Sequence, residues 1–136
     1  MKIELTNIKT NSKLPKRAKP MDAGADVYSL GNYNLEPNVT VKIPLGYGIK
    51  IPNGYVGFVF PRSNLAEKGI ICQLPPIDAS YTGPIHAIVT NCGRDSYYIN
   101  EGDRIGQLLI FPCAVPDFVT EPLEERGENG FGSTGK

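Results

Sequence analysis

Short runs of alternating apolar and polar residues recur along the chain, and this period-two pattern predicts β-strands. Turn-forming glycine, proline and asparagine residues separate the runs, as at positions 52–54 and 101–103. The predicted strands cover positions 39–43, 55–60, 85–90, 97–99 and 105–111. Many short strands joined by regular turns are typical of sandwiches and jelly-roll-like barrels.

One segment alone, positions 64–68, has a helical pattern, and Gly69 is suited to end a helix there. We therefore expect an all-β fold, a jelly-roll-like distorted β-barrel of short strands with one short helix. Residues 1–125 would form this domain. Residues 126–136 are rich in glycine and almost lack apolar side chains, so they predict a mobile arm that orders only when a ligand binds.

The charge balance argues against several classes of partner. The 136 residues include 14 basic and 14 acidic side chains, so no overall field attracts the protein to nucleic acid or to an anionic membrane. The sequence contains no signal peptide and no apolar run of membrane-spanning length. We expect a soluble cytoplasmic protein that has neither nucleic acid nor a membrane as a partner.

Residue types that commonly bind metals are sparse. His86 is the only histidine, which excludes a multi-histidine metal cage. The three cysteines form no C-x-x-C pair, and we interpret them as reduced thiols. A basic cluster near the N-terminus lacks interleaved aromatic residues, which favours a solvated loop over a nucleic-acid patch. This cluster consists of Lys13, Lys16, Arg17 and Lys19.

The C-terminal segment carries the first candidate chemistry. Its glycines spell G-x-G-x-x-G from Gly130, but a dinucleotide or P-loop site would need a following helix. Glycine N–H groups, the Ser133 and Thr134 hydroxyls and the Arg126 guanidinium could still bind an anion. Phe131 is suited to stack on a flat ring. From these residues alone, a disordered tail is an equally good interpretation.

Two central segments combine residues suited to phosphate chemistry. Around positions 61–64, Arg62 could bind phosphate, and Ser63 could cap the short helix or donate to an oxyanion. Within positions 77–83, Asp78 could act as a general base or hold a divalent ion, and Tyr81 could pack against a sugar. Taken singly, a helix cap and a simple turn remain the more economical interpretations.

Two further segments place polar side chains next to apolar strands. Asp22 and Asp26 lie in a stretch of small residues, and carboxylates facing phosphate would suit a hydrated Mg²⁺ ion. Gln107 is a polar residue within the apolar run at 105–111, so it needs a hydrogen-bonding partner if it is buried.

These five segments, in this order, resemble the five motifs of the trimeric dUTP pyrophosphatase (dUTPase) family. The matching strings are DAGADVYS from Asp22, PRSNLAEKG from Pro61, IDASYTG from Ile77, GDRIGQLLI from Gly102 and RGENGFGSTG from Arg126. The resemblance implies a jelly-roll-like β homotrimer that binds Mg²⁺ and hydrolyses dUTP to dUMP and pyrophosphate. It also implies three active sites at subunit interfaces, each assembled from all three chains.

The resemblance implies roles for individual residues. Asp78 matches the catalytic carboxylate that activates water for attack on the α-phosphorus and contacts the 3′-hydroxyl. Tyr81 matches the residue that stacks on the sugar and excludes a 2′-hydroxyl, and Ile77 matches a substrate-binding position. Asp26 matches the carboxylate that orders the waters of Mg²⁺, while the ion itself is held mainly by the substrate phosphates.

The remaining matches concern the phosphates and the arm. Four residues match phosphate-contacting positions. These are Arg62, Ser63, Asn64 through its backbone, and Gln107. Five more match the closing arm, with Phe131 over uracil and the others around the γ-phosphate. These are Arg126, Phe131, Gly132, Ser133 and Thr134.

The sequence departs from the family pattern at the third segment. The family usually has a glycine shortly before the Ile-Asp pair, and it reads uracil there largely with main-chain groups. This chain has Pro75 and Pro76, which lack an N–H group. The donor that faces the base must therefore lie elsewhere, nearer Cys72. Ser80 also replaces a frequent second aspartate, and Asn64 and Asn129 replace small residues.

Two alternative functions stay open at this point. The related dCTP deaminases share the fold, but their catalytic glutamate would fall at Ile88, and they lack the FGSTG arm. A non-catalytic regulatory binding module of the same fold would have no need of Asp78 and Tyr81 or of the arm. Both features favour hydrolysis of dUTP over either alternative.

Overall fold

The computed structural model describes residues 1–124 of the chain. This part contains nine strands and one helix. The strands are β1 (Glu4–Thr6), β2 (Ala25–Tyr28), β3 (Tyr33–Leu35), β4 (Thr40–Lys50), β5 (Tyr55–Pro61), β6 (Ile70–Cys72), β7 (Pro84–Asn91), β8 (Tyr97–Ile99) and β9 (Arg104–Pro112). The helix α1 (Ser63–Glu67) lies between β5 and β6.

The strands form three antiparallel sheets. A four-stranded sheet has the order β1-β4-β7-β6, and a three-stranded sheet has the order β2-β9-β5. The third sheet pairs only β3 with β8. An isolated bridge between Gly57 and Ile77 attaches the loop after β6 to the free edge of β5. This bridge fixes the position of the third sequence motif relative to the three-stranded sheet.

The core lies between the inner faces of the sheets, and alternation selects which residues enter it. In β7 the side chains of Ile85, Ala87 and Val89 are buried, whereas the intervening ones face outwards. Because successive strand residues point to opposite faces, this pattern gives each strand one core face and one face for other contacts. The polar residues of the candidate site lie on those outer faces or in the loops.

The all-β prediction with one short helix is confirmed. Within residues 1–124, however, the three sheets stay separate and do not close into a barrel. The predicted strand at 39–43 proves to be longer, because β4 continues through Pro44 and Gly46 to Lys50. The cap proposed for Ser63 is wrong. Arg62 occupies the N-cap position, Ser63 is the first helical residue, and no side chain caps the helix.

Two further features of this part of the chain concern its cysteines and its helix. Cys72, Cys92 and Cys113 are unpaired. Burial raises the pKa of the Cys72 thiol to about 11, which makes its reactive thiolate rare at neutral pH. Within residues 1–124, no helix combines the length and the apolar character that crossing a membrane requires.

Candidate functional site

Asp78 and Tyr81 line one cavity of about 210 Å³ at the end of the β7 strand. Pro75, Pro76 and Ile77 form part of the same wall. The pockets that enclose drug-sized ligands measure roughly 300–1,000 Å³, so this cavity is suited to one part of a nucleotide rather than to the whole molecule. Asp78 is exposed, and no described residue donates a hydrogen bond to its carboxylate.

The position of Tyr81 is fixed by contacts with the residues that follow it. Its hydroxyl donates a hydrogen bond to the Pro84 carbonyl at 2.7 Å, and its N–H donates to the Asp78 carbonyl at 3.1 Å. The ring lies directly against Gly83, where an added Cβ would stand 2.6 Å from the Tyr81 hydroxyl. A side chain at position 83 would therefore displace the tyrosine ring from its place against this turn.

Asp26 and Gln107 lie side by side on the three-stranded sheet. They are direct cross-strand partners in β2 and β9, and Phe60 of β5 is opposite Gln107 on the other side. The Gln107 amide donates to the Pro61 carbonyl at 3.3 Å, which supplies the partner that the sequence required for this residue. The first, second and fourth motifs thus meet on one sheet.

The second motif turns from strand to helix beside this sheet. Arg62 has an extended backbone, and its carbonyl accepts the first helical N–H bonds from Leu65 and Ala66 at 3.0 Å each. Arg62 is half-buried and forms no ion pair with any described residue. Ser63 and Asn64 are exposed in the first turn, where the N–H groups of a helix have no partner in the helix itself. The segment therefore offers a guanidinium, a hydroxyl and free N–H groups to an anion.

Gly24 permits the close approach of Gln107. An added Cβ at Gly24 would stand only 2.9 Å from the Gln107 Cβ and 3.0 Å from its Cδ. Ordinary carbon contacts are about 3.5–4.0 Å, so any larger residue would displace the glutamine.

Asp26 lies at the edge of a basic cavity of about 560 Å³. Its carboxylate is 3.5 Å from the Arg104 guanidinium, and Lys13, Lys16 and Arg17 line the same cavity. Three of the four residues interpreted above as a solvated loop therefore face a candidate site residue. No local pattern in the sequence indicates this neighbourhood, because the pairing of Lys16 with Asp26 is a tertiary contact.

The structure separates the candidate residues into two groups within the chain. The first group lies beside the cavity and consists of Ile77, Asp78 and Tyr81, and the second lies at the three-stranded sheet and consists of Asp26, Arg62, Ser63, Asn64 and Gln107. Asp26 aligns with Phe60 through Gln107, whereas Ile77 is bridged to Gly57, which precedes Phe60 by three residues in β5. Strands are about 4.8 Å apart and rise about 3.3 Å per residue, so three strand spacings and three residues separate Asp26 from Ile77 by roughly 17 Å. At that separation, the short side chains of Asp26 and Ile77 cannot touch the same phosphate within a single chain.

The five residues predicted for the closing arm lie outside the described residues. They are Arg126, Phe131, Gly132, Ser133 and Thr134. The domain boundary predicted at residue 125 likewise stays a prediction.

The chain is similar to known proteins in both sequence and fold. The sequence model of the dUTPase family matches residues 10–135, which include all five segments. The chain belongs to the dUTPase family. This membership agrees with the resemblance found in the sequence and with the all-β fold.

Individual members of the dUTPase family are similar over most of their length. A deoxyuridine 5′-triphosphate nucleotidohydrolase of Leifsonia xyli is 43% identical over 130 residues, covering 90% of this chain and 86% of that protein. One from Desulfitobacterium hafniense is 40% identical over 132 residues, covering 90% and 87%. A variant dUTPase of phage phi11 of S. aureus, in which a structural Mg(II) ion is coordinated, has a TM-score of 0.83 and 26% identity, with 93% and 99% covered.

Several residues of the site escaped the sequence analysis. Gly24 and Gly83 belong to the first and third motifs, but the motifs do not indicate that each glycine makes room for a candidate side chain. Gln73 and His86 line the cavity of Asp78 and were assigned no role. Burial and, to a smaller extent, the Lys42 charge lower the pKa of His86, so this imidazole is neutral at pH 7.

Proposed function

We propose that this chain is a dUTP diphosphatase, which hydrolyses dUTP to dUMP and pyrophosphate by attack of water on the α-phosphorus. The observation that carries the proposal is the position of Asp78 and Tyr81 at one cavity of single-ring size. Membership of the family and the names of the relatives support the substrate and the reaction. The activity would limit uracil in DNA and supply dUMP for the synthesis of dTMP.

Asp78 is proposed as the general base. A carboxylate that is exposed and accepts no hydrogen bond from the described residues is free to orient a water molecule and to accept its proton. Tyr81 is held by its bond to Pro84, so its ring would pack against the deoxyribose and leave no space for a 2′-hydroxyl. Ile77 would line the same nucleoside site.

The substrate phosphates are proposed to bind at the three-stranded sheet, apart from Asp78 and Tyr81. Hydrolysis spreads negative charge over the triphosphate, and positioned cations and N–H groups stabilise that charge. Arg62, Ser63, the backbone of Asn64 and Gln107 would supply them. The arm would close the site, with Phe131 over the base, and Arg126, Gly132, Ser133 and Thr134 would surround the γ-phosphate.

Mg²⁺ is proposed as the cofactor, and Asp26 fits that role. No three histidine, cysteine or acidic side chains converge within residues 1–124, so the described protein offers no all-protein cage. Mg²⁺ is commonly bound by one or two carboxylates together with substrate phosphates and waters. Bound in this way, it would neutralise charge on the phosphates, and Asp26 would hold its waters.

A homotrimer with sites shared between subunits is proposed as the active form. The separation of roughly 17 Å between Ile77 and Asp26 supports it. A second copy of the chain could place its Asp78 and Tyr81 next to the residues of the first copy that are proposed to contact the phosphates. A cluster of Phe58, Phe60 and Phe111 on the outer face of the three-stranded sheet also supports assembly. Their ring centroids lie 5.9–6.0 Å apart, and Phe111 is still 38% exposed in the single chain.

The first experiment measures pyrophosphate release from dUTP, UTP, dCTP and dTTP with Mg²⁺ and with EDTA. We expect rapid release from dUTP alone, only with the metal. Asp78→Asn should retain dUTP binding and lose at least 100-fold in kcat, whereas Asp95→Asn, at a remote exposed position, should not change it. A parent chain that releases no pyrophosphate would instead indicate the non-catalytic binding module, and ammonia release from dCTP would indicate a deaminase.

The second experiment tests the shared sites. Asp78→Asn and Arg62→Ala chains should each be nearly inactive alone. When the two are refolded together, a mixed trimer can combine an intact Asp78 from one chain with an intact Arg62 from another, so activity should return. Absence of recovery in trimers shown by mass spectrometry to be mixed would contradict the shared site.

A further inference from the structure

The cavity beside Asp78 lacks main-chain donors along its proline wall. Pro75 and Pro76 line it, and neither has an N–H group. The N–H of Ile77 is already bound to the Gly57 carbonyl at 2.8 Å. A ligand ring that enters this cavity therefore finds no hydrogen-bond donor on the backbone of these three residues.

Gln73 stands immediately before this stretch, and its backbone is fixed. Its own N–H donates to the Ile88 carbonyl at 2.8 Å, which extends the pairing of β6 with β7 by one residue. Gln73 and Ile88 consequently share one face of the sheet, and both line the cavity. The backbone N–H of Gln73 is thus also occupied, but its side chain is directed to the cavity side.

Among the polar side chains that line the cavity in the described part of the chain, Gln73 alone keeps an acceptor and a neighbouring donor available on one planar group. Lys42 can only donate, and Asp78 can only accept when ionised. The Tyr81 hydroxyl donates to the Pro84 carbonyl, and the donor and the acceptor of a neutral His86 imidazole lie on separate ring nitrogens that point apart. The carboxamide of Gln73 is left to recognise a ring that carries adjacent donor and acceptor groups.

A pair of threonine hydroxyl groups lies beside the Gln73 carboxamide and restrains it. Its Nε2 donates to Thr90 Oγ1 at 3.1 Å, and Thr90 Oγ1 is 2.7 Å from Thr40 Oγ1. With one Nε2 hydrogen used in this way, Oε1 is presented as an acceptor and the second Nε2 hydrogen as a donor. An acceptor beside a donor is complementary to the N3–H and a neighbouring carbonyl of uracil. Cytosine has no hydrogen on N3 at neutral pH, so a cytosine ring in the position that pairs uracil would direct the N3 lone pair at Oε1.

We propose that the Gln73 side chain reads the base, selecting a uracil ring over cytosine, and supplies the contacts that Pro75 and Pro76 cannot make. This inference rests on the proposed hydrolysis of dUTP and adds to it the residue that determines base specificity. Gln73 would touch the ring and not the reacting phosphate. It therefore acts on binding, and Thr90 acts through it as a positioning residue.

The test compares kcat and KM for dUTP and dCTP in the full chain. In Gln73→Ala we expect kcat/KM for dUTP to fall 10- to 100-fold, mainly through KM, with kcat changed less than threefold. The kcat/KM for dCTP should stay the same or rise. The ratio of kcat/KM for dUTP to that for dCTP should therefore fall by at least the factor lost on dUTP. Thr90→Val should narrow it by a smaller factor, because the reader remains but is no longer oriented. Asn34→Ala removes an exposed amide that is bound only to Glu36, and it should leave the preference unchanged.

The outcomes separate this inference from the proposed function. A parent chain that hydrolyses dUTP, together with a Gln73→Ala variant of unchanged preference, overturns the role of Gln73 and leaves the activity standing. A parent chain that hydrolyses neither nucleotide overturns both. If Gln73→Ala has no measurable turnover, calorimetry with dUMP and dCMP replaces the kinetics. Selective loss of dUMP binding then supports the inference, and equal loss of both overturns it.

Discussion

Replacing Gly83 with alanine tests the geometry of the cavity that Asp78 and Tyr81 line. The new Cβ would stand 2.6 Å from the Tyr81 hydroxyl and 2.8 Å from its Cζ. Ordinary carbon contacts require about 3.5–4.0 Å, so the ring must move by roughly 1 Å. That shift also breaks the hydrogen bond of 2.7 Å between the Tyr81 hydroxyl and the Pro84 carbonyl. A misplacement of about 1 Å near a reacting centre can cost roughly 100-fold in rate, so we expect kcat/KM for dUTP to fall 10- to 100-fold.

The assay is pyrophosphate release from dUTP and UTP by Gly83→Ala and Tyr81→Phe. Tyr81→Phe loses the hydrogen bond but keeps the ring in place, at a cost of about 0.5–1.5 kcal/mol. It should therefore retain most of the discrimination against UTP. Gly83→Ala should lose activity on dUTP and, because the displaced ring no longer fills the space beside the sugar, should discriminate less against UTP. Unchanged kinetics in Gly83→Ala would refute the assignment of Tyr81 to the sugar site.

Three further changes test other parts of the molecule. Gly24→Ala should displace Gln107 and lower kcat/KM for dUTP about 10-fold by steady-state kinetics, since misplaced phosphate ligands stabilise less charge; wild-type kinetics would exclude Gln107 from the site. Ile43→Ala empties a fully buried position and should cost about 2–5 kcal/mol of unfolding free energy in urea, whereas a smaller loss would show that the core collapses around it. Burial lowers the pKa of folded His86, so the unfolded chain takes up the proton first as pH falls through about 6.5. The stability present above that pH is then lost, and melting curves at pH 7.5 and 5.5 should show a smaller loss for His86→Gln; an equal loss would assign the pH dependence to other groups.

The alternation of the sequence was sufficient to predict the longer strands. The bounds of β5, β7 and β9 follow the predicted runs closely, because each strand buries one face and the pattern records that burial. The helix α1 was also predicted, from a short helical pattern followed by Gly69. The φ of Gly69 is +83°, a left-handed conformation that favours glycine. Family membership also followed from the sequence, because the five motifs are local strings of residues.

Short strands and strand extensions depended on pairing partners that the sequence does not reveal. Of the four three-residue strands, only β8 was predicted. The strands β1, β3 and β6 carry too few positions for a period to be recognised, and their neighbours define them. Pro44 and Gly46 favour turns locally, yet β4 continues through them because it pairs with β1 on one side and β7 on the other. A bulge between Pro44 and Gly48 accommodates the irregular backbone.

The candidate site was only partly determined by the sequence. The motifs indicated Asp26, Asp78 and Gln107 as candidates. They did not indicate that Asp26 adjoins Gln107, or that Ile77, the neighbour of Asp78, lies at the opposite edge of the sheet. Such distances arise from the order and register of strands, which join residues about 80 positions apart and are absent from any local pattern. The same is true of Gln73, whose neighbour Thr90 comes from another strand and orients its amide. The sequence thus determined which chemical groups are available, and the tertiary structure decided which of them face the same ligand.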